Sequence, residues 1–220
     1  MGAADVRLTS VGESDESIQG LDPTAWDMDL LPDVLLLQDY NIREQSVPGF
    51  EIFSTQFVAI LYKTTISAQR KNYDDDRTIG IEVMLRGRPL LLLSTYVQPT
   101  SGAGLDTLES IISDLQTEQT DFLVGMDANG HSSMWGPEHI QTNALGRRLE
   151  NLITSKDLLV VNDMDSPPTF VDNFGRDHWI DVTLQSTLLV HHWHVSDHAE
   201  GLSDHSSKSG SSSNKFKNSS

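Results

Sequence analysis

At 220 residues the chain is long enough for one domain with a substantial core and too short for two full ones. No apolar run approaches the roughly 18 residues of a membrane-spanning helix, and the lack of cysteine excludes a disulfide framework and thiolate chemistry. The net charge is −17, and Lys208, Lys215 and Lys217 follow the last acid, so the body through His205 is more negative still; such a surface repels polyphosphates over roughly 8 Å, and only a bound cation would reverse its sign locally.

In chain order, the first ten residues lack the basic-then-apolar arrangement of a secretory signal, so an intracellular setting is expected by default. Residues 1–32 sustain neither helical nor strand periodicity and form a poorly determined segment. Val34 to Leu37 reads as a buried strand closed by Gln38-Asp39. Phe57 to Tyr62, Ile79 to Leu85 and Pro89 to Tyr96 are the next strands, with a turn at Gly87 joining the last two as a hairpin. Between them, Asp74-Asp75-Asp76 reads as a solvated hairpin loop.

Leu105, Leu108, Ile111, Ile112 and Leu115 form one stripe of an amphipathic helix. Phe122 to Gly125 is a buried strand with Asp127-Ala128-Asn129-Gly130 at its end, and a second helix spans about Asn143 to Lys156. Leu158 to Val161, Thr169-Phe170, Trp179 to Leu184 and Leu188 to His194 complete the strands. Beyond His205 the Ser- and Lys-rich composition of 206–220 cannot offset its ordering entropy, which predicts a disordered tail. The pattern predicts an α+β domain over 33–205, with helices flanking packed sheets and loops gathered at one rim.

Four acid-bearing stations fall at or inside the strand ends: Asp39, Asp127 with Asn129, Asp181, and Asp204 with His205. Singly, each fits ordinary turn chemistry. Jointly they fit a hard divalent cation, which takes one or two carboxylates and keeps several waters. His191, His192 and His194 alternate faces of a strand and make a poor zinc site. Trp135 and Trp179 could stack on a base or an abasic sugar, although core packing is the simpler role for an aromatic beside a strand.

Val124-Gly125-Met126-Asp127-Ala128-Asn129, Trp179-Ile180-Asp181-Val182, Ser203-Asp204-His205, Leu36-Leu37-Gln38-Asp39 and Tyr96-Val97-Gln98-Pro99 together resemble, in order and spacing, the motifs of the endonuclease/exonuclease/phosphatase superfamily. Trp135-Gly136, Gly146-Arg147-Arg148-Leu149, Val161-Asn162 and Pro168-Thr169-Phe170 resemble the apurinic-type endonuclease domain of non-LTR (LINE-like) retrotransposons. That resemblance implies the DNase I-like fold, a four-layer α/β-sandwich of two packed mixed β-sheets flanked by helices. It also implies a Mg²⁺-dependent phosphodiesterase, Mn²⁺ being able to substitute, that nicks DNA for target-primed reverse transcription.

By the same resemblance Asp39 and Asp204 hold the metal, and Asp204 orients His205 at the scissile phosphate. Asp127 acts on the attacking water, Asn129 donates to the phosphate, Tyr96 steadies the phosphate or leaving group, and Asp181 completes the shell. His131, Ser132 and Trp135 are candidate substrate contacts. The implied partners are DNA and a reverse-transcriptase module in a longer parent polypeptide, with no membrane; the implied location is the nucleus if genomic DNA is the target. Three departures stand out: Asp39 replaces a Glu, no metal-shell Asn appears in 1–32, and the strand after Ser-Asp-His is replaced by the tail, so the first and last strands are expected to be missing. The alternatives are a catalytically impaired fragment or non-catalytic remnant, and a phosphodiesterase acting on a small nucleotide or lipid headgroup.

Overall fold

A computed structural model describes residues 32–39 and 46–187, together with the backbone of residues 10–11. The strands are β1 (Ser10–Val11), β2 (Val34–Gln38), β3 (Phe50–Ser54), β4 (Val58–Lys63), β5 (Ala68–Asn72), β6 (Thr78–Leu85), β7 (Arg88–Tyr96), β8 (Asp121–Asp127), β9 (Leu159–Val160), β10 (Phe170–Val171), β11 (Asp177–His178) and β12 (Asp181–Gln185). The helices are α1 (Leu105–Glu118) and α2 (Ala144–Ser155). Neither is long and apolar enough to cross a membrane.

Two mixed sheets result, one of four strands in the order β1-β2-β4-β3 and one of six in the order β5-β6-β7-β8-β12-β9, with β10 and β11 as a separate hairpin. Their packing follows from strand alternation. Val34 and Leu36 of β2 share a buried cluster with Ile79 and Ile81 of β6, Leu90 and Leu92 of β7 and Leu123 of β8, so this face of each sheet meets the other. The intervening residues Leu91, Leu93, Val124 and Met126 face the opposite way and pack with Leu108 and Ile112 of α1 and Leu149 and Ile153 of α2. Strands buried on both faces read as continuous apolar runs, which is why Leu90 to Leu93 shows no alternation. Leu35 and Leu37 cluster with Phe50 and Leu61 on the outer face of the smaller sheet; no described helix lies there.

The β6–β7 hairpin turns at Arg86 and Gly87, both at positive φ (52° and 81°), the two-residue geometry that matches strand twist. Strands β1, β3, β5 and β11 escaped the sequence pattern. β3 is an edge strand only partly buried, and β5, Ala-Gln-Arg-Lys-Asn, is an exposed edge strand held only by β6, so it carries no apolar signal. β1 lies parallel to β2, Ser10 opposite Leu36, where the sequence pattern offers no strand; two residues are too few to show periodicity, and the smaller sheet does receive an N-terminal strand. The strand expected over Leu188 to His194, the Asp204-His205 station and the tail from 206 lie outside the described residues.

The sheets are tied by a polar contact. Gln38, fully buried at the end of β2, donates through Nε2 to Ser94 Oγ (2.8 Å) and to the Gly125 carbonyl (3.2 Å), while Ser94 Oγ donates to the Leu37 carbonyl (3.0 Å). Gln38→Met keeps the volume but leaves buried oxygens without that donor, and chemical denaturation is expected to show a loss of about 1–3 kcal/mol. A variant as stable as the parent would show that the strut carries no energy.

Candidate active site

Three strand ends meet at one edge of the larger sheet. Tyr96 closes β7 and Asp127 closes β8, two parallel neighbours, while Asp181 opens the antiparallel β12. Tyr96 is in register with Asp127, and Asp127 with Asp181. Directly paired residues share a face, and neighbouring strands run only about 4.8 Å apart. Alternation puts these three on the side facing the smaller sheet, opposite Met126 and Val182, which face the helices. Both carboxylates are nearly withdrawn from water, at 3% exposure for Asp127 and 7% for Asp181.

Asp39 enters from the smaller sheet, directly after the Gln38 strut. Its backbone N–H donates to the Phe57 carbonyl (2.8 Å), and its φ of 46° is left-handed, a region that Asp tolerates better than most residues. The shorter side chain at this station therefore suits its backbone. Phe57 stacks on Tyr96, ring centroids 5.7 Å apart and planes 9° from parallel, and the Arg77 guanidinium sits 4.4 Å over the other aromatic partner's ring centroid, that of Phe57.

Arg77 is the functional candidate that the sequence pattern missed. It follows the Asp run, where a charged residue reads as loop surface, yet its Nε is buried without a hydrogen-bond partner. Asp75 is likewise anchored rather than merely solvated, accepting from the Arg77 backbone N–H and the Thr107 hydroxyl, both at 2.9 Å. Only the contact of Arg77 with Phe57, distant in sequence, places it near Tyr96, and its guanidinium also lies 3.5 Å from Asp75.

The electrostatics are those of acids with too little water. Burial pushes the Tyr96 phenol up to about 12, with Asp39 and Asp127 adding to the shift and Arg77 opposing it, so Tyr96 remains a neutral donor. Burial, then the charge of Asp181, raises Asp127 well above the carboxylate range, against a hydrogen bond from the Asn129 backbone N–H. Asp181 is raised by burial to about 7, opposed by the Thr169 hydroxyl. Its Oδ1 is buried without a hydrogen-bond partner.

The surrounding loops hold these groups in place. Asn129, at φ 48°, donates its backbone N–H to Asp127 Oδ1 (3.1 Å) and an Nδ2 hydrogen to the Val97 carbonyl (3.1 Å), and its side chain also hydrogen-bonds the Asp127 carboxyl. Thr169 Oγ1 accepts from the backbone N–H groups of Ile180 (3.1 Å) and Asp181 (3.2 Å). Asn162 clamps β12 from beneath, donating to the Asp181 carbonyl (2.8 Å) and accepting from the Thr183 N–H (2.7 Å). Gly146 lets α2 approach the loop after β8, since a Cβ there would lie 2.0 Å from the His131 carbonyl.

Two candidate substrate contacts, Trp135 and Ser132, are buried, and Trp179 takes the core role that is the simpler one for an aromatic beside a strand. Trp135 is fully buried, its indole N–H shared between the carbonyls of Gly130 and Trp179 (3.2 Å each), and cannot reach a ligand. Ser132 is also fully buried, donating to Glu150 and accepting from the Met134 N–H. Trp179 is core as well, donating to the Ser166 carbonyl. Only His131 stays partly open, and it is engaged by His178 and Asn143.

Among the described residues no three His, Asp or Glu side chains form a ready-made metal cage. A hard dication does not need one, because it takes one or two carboxylates and completes its shell with water. Acids raised by burial and by one another, and a buried carboxylate oxygen lacking a donor, leave a deficit of positive charge that such an ion would fill. The donor set, all oxygen, fits Mg²⁺ or Mn²⁺ and not a thiophilic metal.

A family model described as Endonuclease-reverse transcriptase matches residues 90–208, a stretch containing Tyr96, Asp127, Asn129 and Asp181 and running on through Asp204 and His205. Among solved structures, the endonuclease domain of TRAS1, a telomere-specific non-LTR retrotransposon, is similar over 70% of this chain and 72% of that one, at 19% identity and a TM-score of 0.56. Fainter likenesses, on which nothing rests, are to the human Nocturnin catalytic domain (14% identity, 71% and 69% covered, TM-score 0.48) and to humanized D. rerio TDP2 (12%, 73% and 72%, 0.47). No curated protein matches the chain. At 19% identity the TRAS1 likeness speaks for the fold, two packed mixed sheets with few helices, and the family match spans more than half of the sequence. The chain belongs to the endonuclease-reverse transcriptase family, within the DNase I-like superfamily.

Proposed function

We propose that this protein is a Mg²⁺-dependent phosphodiesterase that nicks one strand of DNA, the reaction that primes reverse transcription in retrotransposons of this type. The observation that carries the reading is the row of Tyr96, Asp127 and Asp181 in register, both carboxylates buried and Tyr96 half-buried, with Asp39 and Arg77 converging on Tyr96. Members of the superfamily generally use a divalent metal. Here Asp39 would hold it, together with Asp204 from outside the described residues, and when bound it supplies positive charge against the non-bridging oxygens.

The chain's own groups account for the rest. In hydrolysis a water oxygen bonds to phosphorus, the bond to the 3′-oxygen breaks, one proton leaves the water and one reaches the leaving oxygen. Asp127, its basicity raised by burial and by Asp181, accepts the proton from the water. Tyr96, neutral, donates a hydrogen bond to the phosphate or leaving oxygen. Asn129, bonded to the Val97 carbonyl and to Asp127, holds that base in place, and the guanidinium of Arg77, paired with Asp75 at 3.5 Å and lying over Phe57, adds positive charge beside Tyr96 against the negative phosphate. His205 would supply the proton to the leaving group. The acidic surface is compatible with this role only locally, where the ion and Arg77 offset it.

Nicking of supercoiled plasmid with Mg²⁺ tests the reading. Asp127→Ala and Asp181→Asn are expected to abolish measurable nicking, and Tyr96→Phe or Arg77→Ala to lower kcat by about 10²–10³, the usual scale for one lost transition-state donor. Residual activity equal to the parent's in Asp127→Ala would reject it.

Stability should carry the same signature. Because Asp181 binds its proton more tightly when folded, its contribution is fully present below the ordinary carboxyl value of 3.8 and is lost as pH rises to about 7. Metal-free protein should therefore lose Tm over that window, and Asp181→Asn should flatten the loss. Mg²⁺ at about 100 times its Kd should restore about 2.7 kcal/mol, most clearly at the upper end where the carboxylates are charged. A metal-free Tm that rises across the window in the parent but not in Asp181→Asn would contradict the assigned burial of Asp181.

A further inference from the structure

The loop after β8 and the β10–β11 hairpin meet through two imidazoles. His131 Nε2 lies 3.0 Å from His178 Nδ1, and His178 Nε2 lies 3.2 Å from Asp172 Oδ2. On the far side, His131 Nδ1 lies 3.1 Å from Asn143 Nδ2.

Proton positions along this row are dictated from one end. Asn143 caps α2, and its Oδ1 accepts from the backbone N–H groups of Gly146 (2.7 Å) and His131 (3.2 Å). Its NH₂ is therefore the end that faces His131. His131 Nδ1 must then accept, which puts the His131 proton on Nε2. That proton points at His178 Nδ1, which must also accept, so the His178 proton sits on Nε2 and points at the Asp172 carboxylate.

We propose that Asn143, His131, His178 and Asp172 form a proton-operated latch, holding the β10–β11 hairpin to the loop after β8 while both imidazoles are neutral and releasing it when either gains a proton. A proton on His178 Nδ1 would oppose His131 Nε2–H. Moving the His131 proton to Nδ1 would oppose the Asn143 NH₂. Turning the Asn143 amide would aim that NH₂ at two backbone N–H groups. Each escape replaces one donor–donor contact with another, so the rings must part.

The latch joins the loop after β8 to the hairpin that precedes β12. Asn129 and Asp127 lie two and four residues before His131, and Thr169, at the base of the hairpin, holds the backbone N–H of Asp181. Release would loosen the supports of both buried carboxylates, yet the latch itself does not depend on the DNA-nicking reading.

The groups facing the pair are few. On the hairpin, the Arg176 backbone N–H holds the Asp172 carboxyl far below the usual range, and Arg176 Nε lies 2.6 Å from its Oδ2, offsetting the pull that the anion exerts on a His178 cation. On α2, Glu150 is occupied by Ser132 and Thr142. Asp177 is exposed beside His178 on β11, and alternation turns it to the other face. From the loop after β8, His139 packs edge-on against Trp179, ring centroids 6.4 Å apart. The Phe170 ring packs on His178 with centroids 5.6 Å apart. Burial, with His178 adding, lowers His131 below the ordinary imidazole value, in keeping with a row that favours neutrality.

Two measurements on the full chain test the latch. Ring-nitrogen NMR at about pH 8 should show both imidazoles protonated on Nε2 alone. Amide exchange over residues 169–180, corrected for the intrinsic pH dependence, should quicken by about tenfold between about pH 8 and about pH 5, the factor that one unit of pKa displacement carries. His178→Asn and His131→Asn should exchange at the faster rate throughout. An Nδ1–H on either ring at the higher pH would overturn the proposal, as would an exchange response that persists in both variants. The NMR reading on the parent decides the matter even if a variant fails to fold.

Discussion

Register pairing of Asp127 with Asp181 sets two carboxyl groups side by side on adjacent strands, both nearly out of water, and the rest of the cleft answers the cost of that placement. An isolated buried carboxylate tends to keep its proton, and a second beside it makes ionisation harder still. Around this pair the chain supplies what positive or donating groups it can: the Asn129 N–H to Asp127, the Thr169 hydroxyl to Asp181, and, beside Tyr96, a guanidinium across an aromatic stack. The deficit that remains is what a hard dication of the proposed kind would offset.

Holding such a site requires rigidity from elements that do no chemistry. The Gln38 strut keeps Asp39 in step with the larger sheet, and the Asn162 clamp keeps Asp181 in step with β8. Trp135 joins the loop after β8 to the strand leading into Asp181 through the carbonyls of Gly130 and Trp179. Several motifs that resemble the retrotransposon endonucleases prove to be these supports. Gly146 permits close approach, Thr169 caps two N–H groups and Asn162 replaces ladder bonds, so in this chain these residues position the acids.

Much of the fold was legible because burial leaves a periodic trace. The stripe from Leu105 to Leu115, the run Leu90 to Leu93 and the turn at Gly87 all became the elements they suggested. β5 did not announce itself, because a solvated edge strand needs no apolar residues, and β1 is too short for any pattern. Trp135 and Ser132 illustrate a different limit. Their types suit a ligand contact as well as a core or a loop tie, and only their full burial distinguishes the roles.

Which residues are acidic, which strands are buried on both faces, and that Asp39, Asp127 and Asp181 each follow or interrupt an apolar run are local properties, readable from composition and from periods of two and 3.6 residues. The family too is readable from the sequence, through motifs whose order survives along the chain. That Tyr96, Asp127 and Asp181 share one register, that Arg77 lies near Tyr96, and that His131 and His178 are partners emerges only once the chain is folded. Pairing between strands and contact between loops depend on where distant segments come to rest, and that is settled by the collective packing of two sheets and two helices rather than by any short stretch of residues.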